Sequence, residues 1–281
     1  MSLAFTRNPG IPLKLRRRIG KIFHRDIGSR DFEITVLGAR YAGRTDNIMD
    51  KKIYLYGCHE TSTIRLIQTI LKRQRSDDQS PVYLDIGTNT GLHLVTAAPF
   101  ADKAYGFEPY APVREKALAN IGRNQFDNVR VFPFGLSNAD AELPYTPPCS
   151  GNLGNGYFQA SEQSPVNDDT TITLSVRKGD DVMRDNNIAP TLMKIDVEGF
   201  EKFVLEGLQD TISSHRPDII FEYNAETRRH DSDVIEDIKA VLGDHYSLYG
   251  ICRSRELPKL VTFNQSKAFE NVLATTMQPP I

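Results

Sequence analysis

One short stretch constrains this chain more than any other: an apolar run that ends in an acid and then in a glycine-pinned turn, at residues 82–91 (VYLDIGTNTG). Buried parallel strands are short runs rich in apolar residues, and residues 83–86 fit that pattern. Glycine permits a sharp turn and lets a ligand approach the backbone closely. A helix that begins there presents unpaired N–H groups. The stretch therefore predicts a strand, a turn and a helix that together hold a nucleotide-like cofactor.

The turn departs from the dinucleotide-binding pattern G-x-G-x-x-G. Asn89 stands where the middle glycine would admit a pyrophosphate. An ordinary strand-to-helix turn is the alternative. A second apolar run ends at Glu108, about 20 residues after Gly87, where folds of this type place a carboxylate that accepts hydrogen bonds from ribose hydroxyls. The alternative for Glu108 is an exposed loop carboxylate. The two features together favour a cofactor with a ribose and without a tightly held pyrophosphate.

Composition and charge narrow the class of protein. The chain has 281 residues, 40% hydrophobic and 25% charged, which is typical of a globular protein with one large domain. A net charge of −2 gives no indication of a nucleic-acid partner. Cys58, Cys149 and Cys252 are far apart and odd in number, which predicts reduced thiols in the cytoplasm. No run approaches the ~20 apolar residues of a membrane span.

The N-terminal segment is basic and interleaved with apolar residues. Its cations are Lys14, Arg16, Arg17, Arg18, Lys21 and Arg25, and its apolar residues are Leu13, Leu15, Ile19, Ile22 and Phe23. A basic amphipathic helix could lie on an anionic membrane surface. The alternative is a peripheral helix that packs on the domain or on a second subunit. Peripheral membrane contact and a homo-oligomer therefore both stay open.

The chain is predicted to have two regions, an extension at 1–75 and a cofactor-binding domain at 76–281. In the extension, residue types predict strands at 32–36 and 52–56, and apolar periodicity predicts a helix at 63–73. The domain alternates helices with strands at 82–86, 104–108, 129–134, 191–197, 218–222, 246–252 and 269–275, the last two as antiparallel neighbours. Repeated strand–helix units predict a parallel sheet covered on both faces, with ligands at the carboxyl ends of its strands.

One segment interrupts this alternation, at about 144–169. It contains two consecutive prolines, at 147 and 148, and glycines at 151, 154 and 156. A loop this long inside a compact domain is usually functional or disordered. Because it follows the third strand of the domain, we interpret it as a lid-like insertion that faces the substrate. A surface excursion without a role is the alternative.

Three blocks, in order along the chain, resemble the FkbM family of S-adenosylmethionine-dependent methyltransferases: residues 84–91 (LDIGTNTG), 107–109 (FEP) and 193–201 (MKIDVEGFE). The KIDVEG run is the specific signal, and the resemblance covers roughly residues 31–224. It implies a class I (Rossmann-like) methyltransferase fold, α/β, with a seven-stranded and mostly parallel sheet whose last strand is reversed. It also implies S-adenosylmethionine as cofactor and methyl transfer to an oxygen of a small molecule, often a sugar or polyketide.

The chain offers groups for both ends of that cofactor. The turn and its acid suit the methionine end, and the carboxylate after the second strand suits the ribose. Two residues after the third strand are assigned to the adenine edge by position and by analogy with the family. The predicted cofactor-binding residues are Asp85, Gly87, Asn89, Gly91, Glu108, Leu136 and Ser137.

Three carboxylates follow the fourth and fifth strands of the domain: Asp196, Glu198 and Glu222. Close carboxylates raise the pKa of at least one of them, and a positioned base helps an alcohol to react. We predict Asp196 as the base or acceptor-orienting group, with Glu198 and Glu222 assisting. The alternative is that Asp196 and Glu198 cap the next helix. His93 is a competing base, and it stands where the family more often has an aromatic residue. Paired carboxylates could also hold Mg²⁺, but no string of Asp and Asn ligands supports a metal site, so no metal is predicted.

The sequence thus predicts an S-adenosylmethionine-dependent O-methyltransferase that acts on a hydroxyl of a carbohydrate, a glycoconjugate or a secondary metabolite. One alternative is an RNA 2′-O-methyltransferase, which the basic run at 16–18 allows. The other is a non-catalytic module that keeps the cofactor fold and docks on a membrane or a partner. The predicted location is the cytoplasm, with membrane-peripheral attachment open.

Overall fold

The computed structural model describes residues 15, 27–148, 151–158, 171–223, 234–252, 258–265, 267, 269 and 271–279. The predicted basic N-terminal helix, apart from Leu15, lies outside the described residues. So do residues 149–150 and 159–169 of the predicted insertion.

The described chain begins with a hairpin and two helices: β1 (Asp31–Val36), β2 (Ala39–Arg44), α1 (Ile48–Tyr56) and α2 (Thr61–Ser76). The strands pair in antiparallel register. The prediction of a strand at 52–56 is wrong, because this stretch belongs to α1. The Asn47 side chain accepts the backbone N–H groups of Met49 and Asp50 and so starts the helix, and Gly57 ends it at φ 82°. These two caps stabilise a helix in this stretch, although the residue types favour a strand.

In the rest of the chain the predicted strands are present, with differences of one or two residues at most ends, and strands at 135–137, 141–146, 157–158, 172–178 and 259–262 are additional. Its elements are β3 (Val82–Ile86), α3 (Leu92–Ala97), β4 (Lys103–Phe107), α4 (Ala111–Asn124), β5 (Val129–Phe132), β6 (Gly135–Ser137), β7 (Ala141–Thr146), β8 (Tyr157–Phe158), β9 (Ile172–Lys178), α5 (Gly179–Asp185), β10 (Leu192–Ile195), α6 (Glu201–Gly207), α7 (Gln209–His215), β11 (Asp218–Glu222), α8 (Val234–Leu242), β12 (Ser247–Cys252), β13 (Lys259–Thr262) and β14 (Asn271–Thr275).

Among the described residues, the central sheet has eight strands in the order β13-β12-β14-β11-β10-β3-β4-β5. The pairs from β11 to β5 are parallel. β14, the last strand, is antiparallel to both of its neighbours, β11 and β12, so the expected reversed last strand is present. The described sheet has one strand more than the seven expected, because β13 pairs with the outer edge of β12.

Helices cover both faces of the central sheet, and each face has its own apolar core. One core joins the hairpin, α2, α3 and the end of α4 to the sheet, and the other joins α5, α6, α7 and α8 to it. Residues of one strand alternate between the cores, since Tyr83 belongs to the first while Leu84 and Ile86 belong to the second. The hairpin and α2 therefore complete the first core of the domain.

A second, smaller sheet stands beside the central one, in the order β6-β9-β7-β8. Two of its strands, β7 and β8, fall at the start and in the middle of the segment predicted as a long loop. β7 contains Pro144 and alternates between partly exposed and exposed residues over much of its length. The prolines and glycines of this segment predict a loop, although residues 141–146 (AELPYT) carry apolar residues at every second position.

Candidate active site

A cleft of about 360 Å³ opens at the carboxyl ends of β3, β4, β10 and β11. Parallel α/β sheets bind ligands at this edge. The turn after β3, Glu108 after β4 and the carboxylates after β10 and β11 all line it. Residues from α1 and from the turn before α2 form a further wall, and described residues of the insertion form another. The fold thus brings three of the predicted cofactor-binding residues and all three predicted catalytic residues into one cleft: Gly87, Asn89, Glu108, Asp196, Glu198 and Glu222.

Gly87 is required by a contact between two loops. Its φ is 82°, and a Cβ built on it would lie 1.9 Å from the backbone oxygen of Asp196. From the sequence alone, the close approach of a ligand would explain this glycine. The structure gives a different reason, because the protein's own backbone occupies that space. The loop after β10 therefore packs directly on the loop after β3, and the residue between them has to lack a side chain.

Glu108 is held in place by the backbone of both neighbouring loops. Its carboxylate accepts the N–H of Asn89 at 2.9 Å and the N–H of Tyr110 at 3.0 Å. The side chain is buried but still lines the cleft. Burial raises its pKa to about 7, although the two backbone N–H groups oppose that shift. Its position after β4 and its orientation into the cleft suit the predicted contact with ribose hydroxyls.

Asp85 and Gly91 do not line the cleft. Asp85 lies beneath it, 1% exposed, with Oδ1 accepting the Tyr83 hydroxyl at 3.1 Å and Oδ2 making no hydrogen bond among the described residues. Burial raises its pKa to about 6. Gly91 stands at the start of α3 with φ 86° and packs on the backbone of Ala117. Both shape the turn, and neither contributes to the surface of the cleft.

Asn89 links the turn to the insertion. It adopts φ 51°, and its side-chain Nδ2 donates to the carbonyl of Leu153 at 3.2 Å. A second link runs from the Ile48 N–H to the Gly151 carbonyl at 2.7 Å. The described residues 151–158 are thereby held over the cleft, where Leu153, among others, lines it. This placement agrees with a lid, which remains an interpretation.

The structure does not bring Leu136 and Ser137 to the cleft. Both are buried in β6, which pairs with β9 of the smaller sheet rather than with the central one. A Cβ on Gly207 of α6 would lie 1.8 Å from the Ser137 carbonyl oxygen, so this strand packs tightly against a helix. Their prediction as adenine-edge residues is corrected, because the chain turns away from the central sheet at this point.

Asp196, Glu198 and Glu222 come together. One carboxylate oxygen from each lies within 4.8 Å of the other two, and all three residues line the cleft. Glu198 has φ 52°, a conformation that is uncommon outside glycine and that recurs at functional sites. The three carboxylates concentrate negative charge on one wall of the cleft.

Glu201 fixes the loop that carries two of these carboxylates. Its Oε1 accepts the N–H of Val197 at 3.2 Å and the N–H of Gly199 at 3.3 Å. The side chain is 1% exposed, and burial raises its pKa to about 7. Glu201 belongs to the third sequence block, but its function there was not predicted. An acid two residues after a glycine, at the first position of a helix, is the signal that could have indicated it.

Several residues of the cleft were missed because they precede the predicted domain. They are Met49, Lys52, Ile53, His59 and Glu60. The His93 Nε2 lies 3.3 Å from Glu60 Oε2, so the predicted competing base is in contact with a carboxylate. Burial lowers the pKa of His59 to about 4. Their sequence carries no motif, and only the packing of the extension on the sheet brings them to the cleft.

The family follows from a direct match. A family model described as "Methyltransferase FkbM domain" matches residues 85–246, more than half of the chain. The chain belongs to the FkbM methyltransferase family. The predicted family, the methyltransferase class and S-adenosylmethionine as the cofactor of the FkbM domain are confirmed. The match begins at Asp85 in β3, so the hairpin, α1 and α2 lie outside the matched FkbM domain, although α1 and the turn before α2 line its cleft.

Individual relatives of the FkbM domain are more distant. The chain is 26% identical over 150 residues to the hexuronic acid methyltransferase AglP of Haloferax volcanii, which is 53% of this chain and 57% of AglP. It is 43% identical over 68 residues to the AMB antimetabolite synthetase AmbE of Pseudomonas aeruginosa, which is 23% of this chain and 3% of AmbE. The solved methyltransferase FkbM from Methylobacillus flagellatus KT is 18% identical, with a TM-score of 0.46 over 79% of this chain and 52% of that chain. The match to this chain thus spans little more than half of AglP and a small fraction of AmbE.

No helix among the described residues is long and apolar enough to cross a membrane.

Proposed function

We propose that this protein is an S-adenosylmethionine-dependent O-methyltransferase whose acceptor is a hydroxyl group of a small molecule, with a carbohydrate as the first candidate. One observation carries the proposal: three carboxylates within 4.8 Å of one another line the same cleft as the predicted cofactor wall. A hydroxyl acceptor needs a group that takes its proton, and carboxylates at a strand end can do so.

The cleft fits the cofactor of the family in its charges. When bound, S-adenosylmethionine supplies a methyl group on a positively charged sulfur, which leaves as a neutral thioether. Glu108 would hold the ribose hydroxyls, since its two backbone contacts fix the carboxylate and leave it on the cleft surface. The backbone of Gly87 and Asn89 would hold the methionine end. The carboxylates that follow β10 and β11 favour a ligand with a positive centre.

The chain's own residues are proposed to remove a proton, orient the acceptor and exclude water. Asp196 takes the proton of the acceptor hydroxyl while that oxygen forms its bond to the methyl group. Glu198 and Glu222 accept hydrogen bonds from neighbouring hydroxyls and so orient the acceptor. The insertion and the α1 wall exclude water. Because the methyl donor is already activated, orientation and removal of the proton are the main contributions that the protein has to make.

The choice of a carbohydrate rests on two supports. An acceptor with several hydroxyls matches a wall with several carboxylates, since each hydroxyl is a hydrogen-bond donor. The relative AglP is described as a hexuronic acid methyltransferase, and it is similar over 150 residues. Glycoconjugates and hydroxylated secondary metabolites present the same group and remain within the proposal.

Two measurements test the proposed function. Calorimetric titration of the purified full-length protein with S-adenosylmethionine should give saturable binding below millimolar concentration. A screen with methyl-labelled cofactor should then transfer label to members of a panel of uronic acids, neutral sugars and phenolic alcohols, and label should stay on oxygen after mild base treatment. We expect activity to survive a chelator. Absence of transfer to every hydroxylated acceptor, with cofactor binding intact, would reject the proposal.

The alternatives are separated in the same experiments. The residues that allow an RNA acceptor, at 16–18, lie outside the described chain. An RNA 2′-O-methyltransferase would label RNA, and its RNA binding would weaken steeply with salt. A non-catalytic module would bind cofactor or liposomes and transfer label to no acceptor extract. Liposome pelleting with and without residues 1–30 tests docking on a membrane.

A further inference from the structure

Lys194 is a cation at the centre of a buried sheet. It is the third residue of β10, is 1% exposed, and stands in parallel register between Asp85 of β3 and Ile220 of β11. Central parallel strands are normally apolar on both faces. Burying a charge is costly unless it is paired, and an apolar residue of similar volume often gives equal or greater stability. The packing of the sheet therefore does not by itself explain a lysine at this position.

The surroundings of Lys194 are carboxylates from three elements. Its Nζ lies 2.5 Å from Asp196 Oδ2. Asp85 faces it from β3 and Glu60 from the start of α2, and both act on it electrostatically. Burial alone would lower the pKa of Lys194, but attraction to Asp196, Glu60 and Asp85 outweighs burial and raises it. Lys194 is therefore a permanent positive charge beneath the cleft.

The geometry of the sheet explains why this charge acts on the cleft. Side chains two residues apart in a strand point to the same face, so Lys194 and Asp196 share a face. Glu222 shares it too, because Ile220 is the register partner of Lys194. Asp196 is 26% exposed in its side chain and lines the cleft, whereas Lys194 is not exposed to it. The ion pair thus joins the buried Lys194 cation to a carboxylate on the surface of the cleft. Oδ2 is the oxygen of Asp196 that binds Lys194.

We propose that Lys194 is a positioning residue for methyl transfer, which binds Asp196 Oδ2 from beneath the cleft and so directs Oδ1 toward the acceptor hydroxyl. The inference rests on the proposed function, since it assigns Lys194 to the carboxylate that takes the proton. A charge-assisted hydrogen bond is short and directional, and it holds a carboxylate in one rotamer better than a neutral neighbour can. Glu60 and His93, which contact each other and line the cleft, complete the polar surroundings of the pair together with the buried Asp85 and Tyr83.

The test uses Lys194→Met, which removes the charge and the donor, and Lys194→Gln, which keeps a donor without the charge. Both residues approximate the volume of lysine. In a folded variant we expect kcat to fall by about 100-fold, the cost of a misplaced catalytic group. KM and Kd for S-adenosylmethionine should stay close to the wild-type values. Lys103→Met, at the exposed start of β4, is the control and should leave all constants unchanged. A kcat close to wild type in either folded Lys194 variant overturns the inference.

Two further readouts separate positioning from general destabilisation. In a double-mutant cycle, Lys194→Met should have little effect on kcat once Asp196→Asn is present, because both changes act through one carboxylate. Additive losses would contradict the inference. Crystal structures of wild type and Lys194→Met need no acceptor and should show a different rotamer of Asp196 in the variant. An unchanged Asp196 overturns the inference even if no acceptor is found, whereas a wild-type enzyme that methylates nothing rejects the proposed function alone.

Discussion

Gly87 and Asp196 touch through their backbones: a Cβ on Gly87 would lie 1.9 Å from the Asp196 oxygen. The Asp196 N–H also donates to the carbonyl of Ile86, at 2.9 Å. The turn on the cofactor wall and the loop on the carboxylate wall are therefore one packed unit. A change in either loop is therefore expected to move the other. The contact between Gly87 and Asp196 thus sets the distance between the bound methyl donor and the carboxylate that acts as base.

Replacing Gly87 by alanine should disrupt that unit. The new Cβ meets backbone, which cannot rotate away, and the residue keeps φ near 82°. We expect the free energy of unfolding to fall by about 2–5 kcal/mol, combining the left-handed penalty with the overlap. Urea denaturation measures it. Gly122→Ala is the control, because nothing lies within 4 Å of its Cβ position in α4. It should change stability by about 1 kcal/mol or less, in the favourable direction. Equal effects of the two variants would contradict the packing argument.

Removing Glu108 should weaken cofactor binding. Glu108→Ala deletes the carboxylate that we assign to the ribose and leaves the N–H groups of Asn89 and Tyr110 without their acceptor. Hydrogen bonds to a charged group contribute about 1.5–3 kcal/mol, so the Kd for S-adenosylmethionine should rise at least about tenfold. Calorimetry measures it, and Glu115→Ala on the exposed side of α4 is the control. An unchanged Kd would remove Glu108 from the cofactor site.

Glu201 should make stability depend on pH. Burial raises its folded pKa to about 7, above the value of an unfolded glutamate. The folded state therefore binds its proton more tightly, and wild-type stability should fall as pH rises from about 4.5 through 7. Glu201→Gln keeps an Oε1 for the Val197 and Gly199 N–H groups and cannot ionise. We expect the variant to match wild type near pH 5 and to exceed it at pH 8 by about 1–3 kcal/mol. Urea denaturation at both pH values measures the free energy of unfolding of wild type and variant. The same difference between the two proteins at pH 5 and at pH 8 would contradict the prediction.

Asp196→Asn should separate catalysis from cofactor binding. Asparagine fills the same space but cannot take a proton, and general base catalysis contributes about 10²–10⁴-fold. We expect kcat to fall by that factor while the Kd for S-adenosylmethionine stays within about threefold, since the ribose contact is untouched. Glu198→Gln and Glu222→Gln should lose less and should mainly raise KM for the acceptor. The exposed Asp127→Asn is the control. Full activity of Asp196→Asn would show that another group acts as the base, and His93 would then be the next residue to replace.

Asn89 should couple the turn to the insertion. Asn89→Gly removes the donor to the Leu153 carbonyl but accepts φ 51° without strain, whereas Asn89→Ala removes the donor and adds strain. We expect both variants to raise KM for the acceptor, and only alanine to lose a further 1 kcal/mol or so of stability. Limited proteolysis should cut the insertion faster in both. Wild-type cleavage rates in the glycine variant would show that this hydrogen bond does not hold the insertion.

Much of the fold could be predicted from local patterns. The strand at 82–86 and the strand at 218–222 were predicted to the residue, because short apolar runs in a parallel sheet are bounded by turns. α1 was mistaken for a strand because Tyr54 and Ile53 favour β-structure, while the caps at Asn47 and Gly57 decide for a helix. The smaller sheet was not predicted because the prolines and glycines of the insertion segment favour a loop, although residues 141–146 (AELPYT) and 172–178 (ITLSVRK) show a period-two pattern of apolar residues.

The sequence by itself determined the family, the cofactor and four acids of the cleft, Glu108, Asp196, Glu198 and Glu222, since these follow from short motifs at the ends of strands. Only the tertiary structure decided which residues share a surface. It moved Leu136 and Ser137 away from the cleft, placed Glu60 and His59 in it, and set Lys194 beneath Asp196. The physical reason is that a motif fixes local backbone geometry, whereas burial, ion pairing and the contact of Gly87 with Asp196 depend on strands and helices that are far apart in the chain.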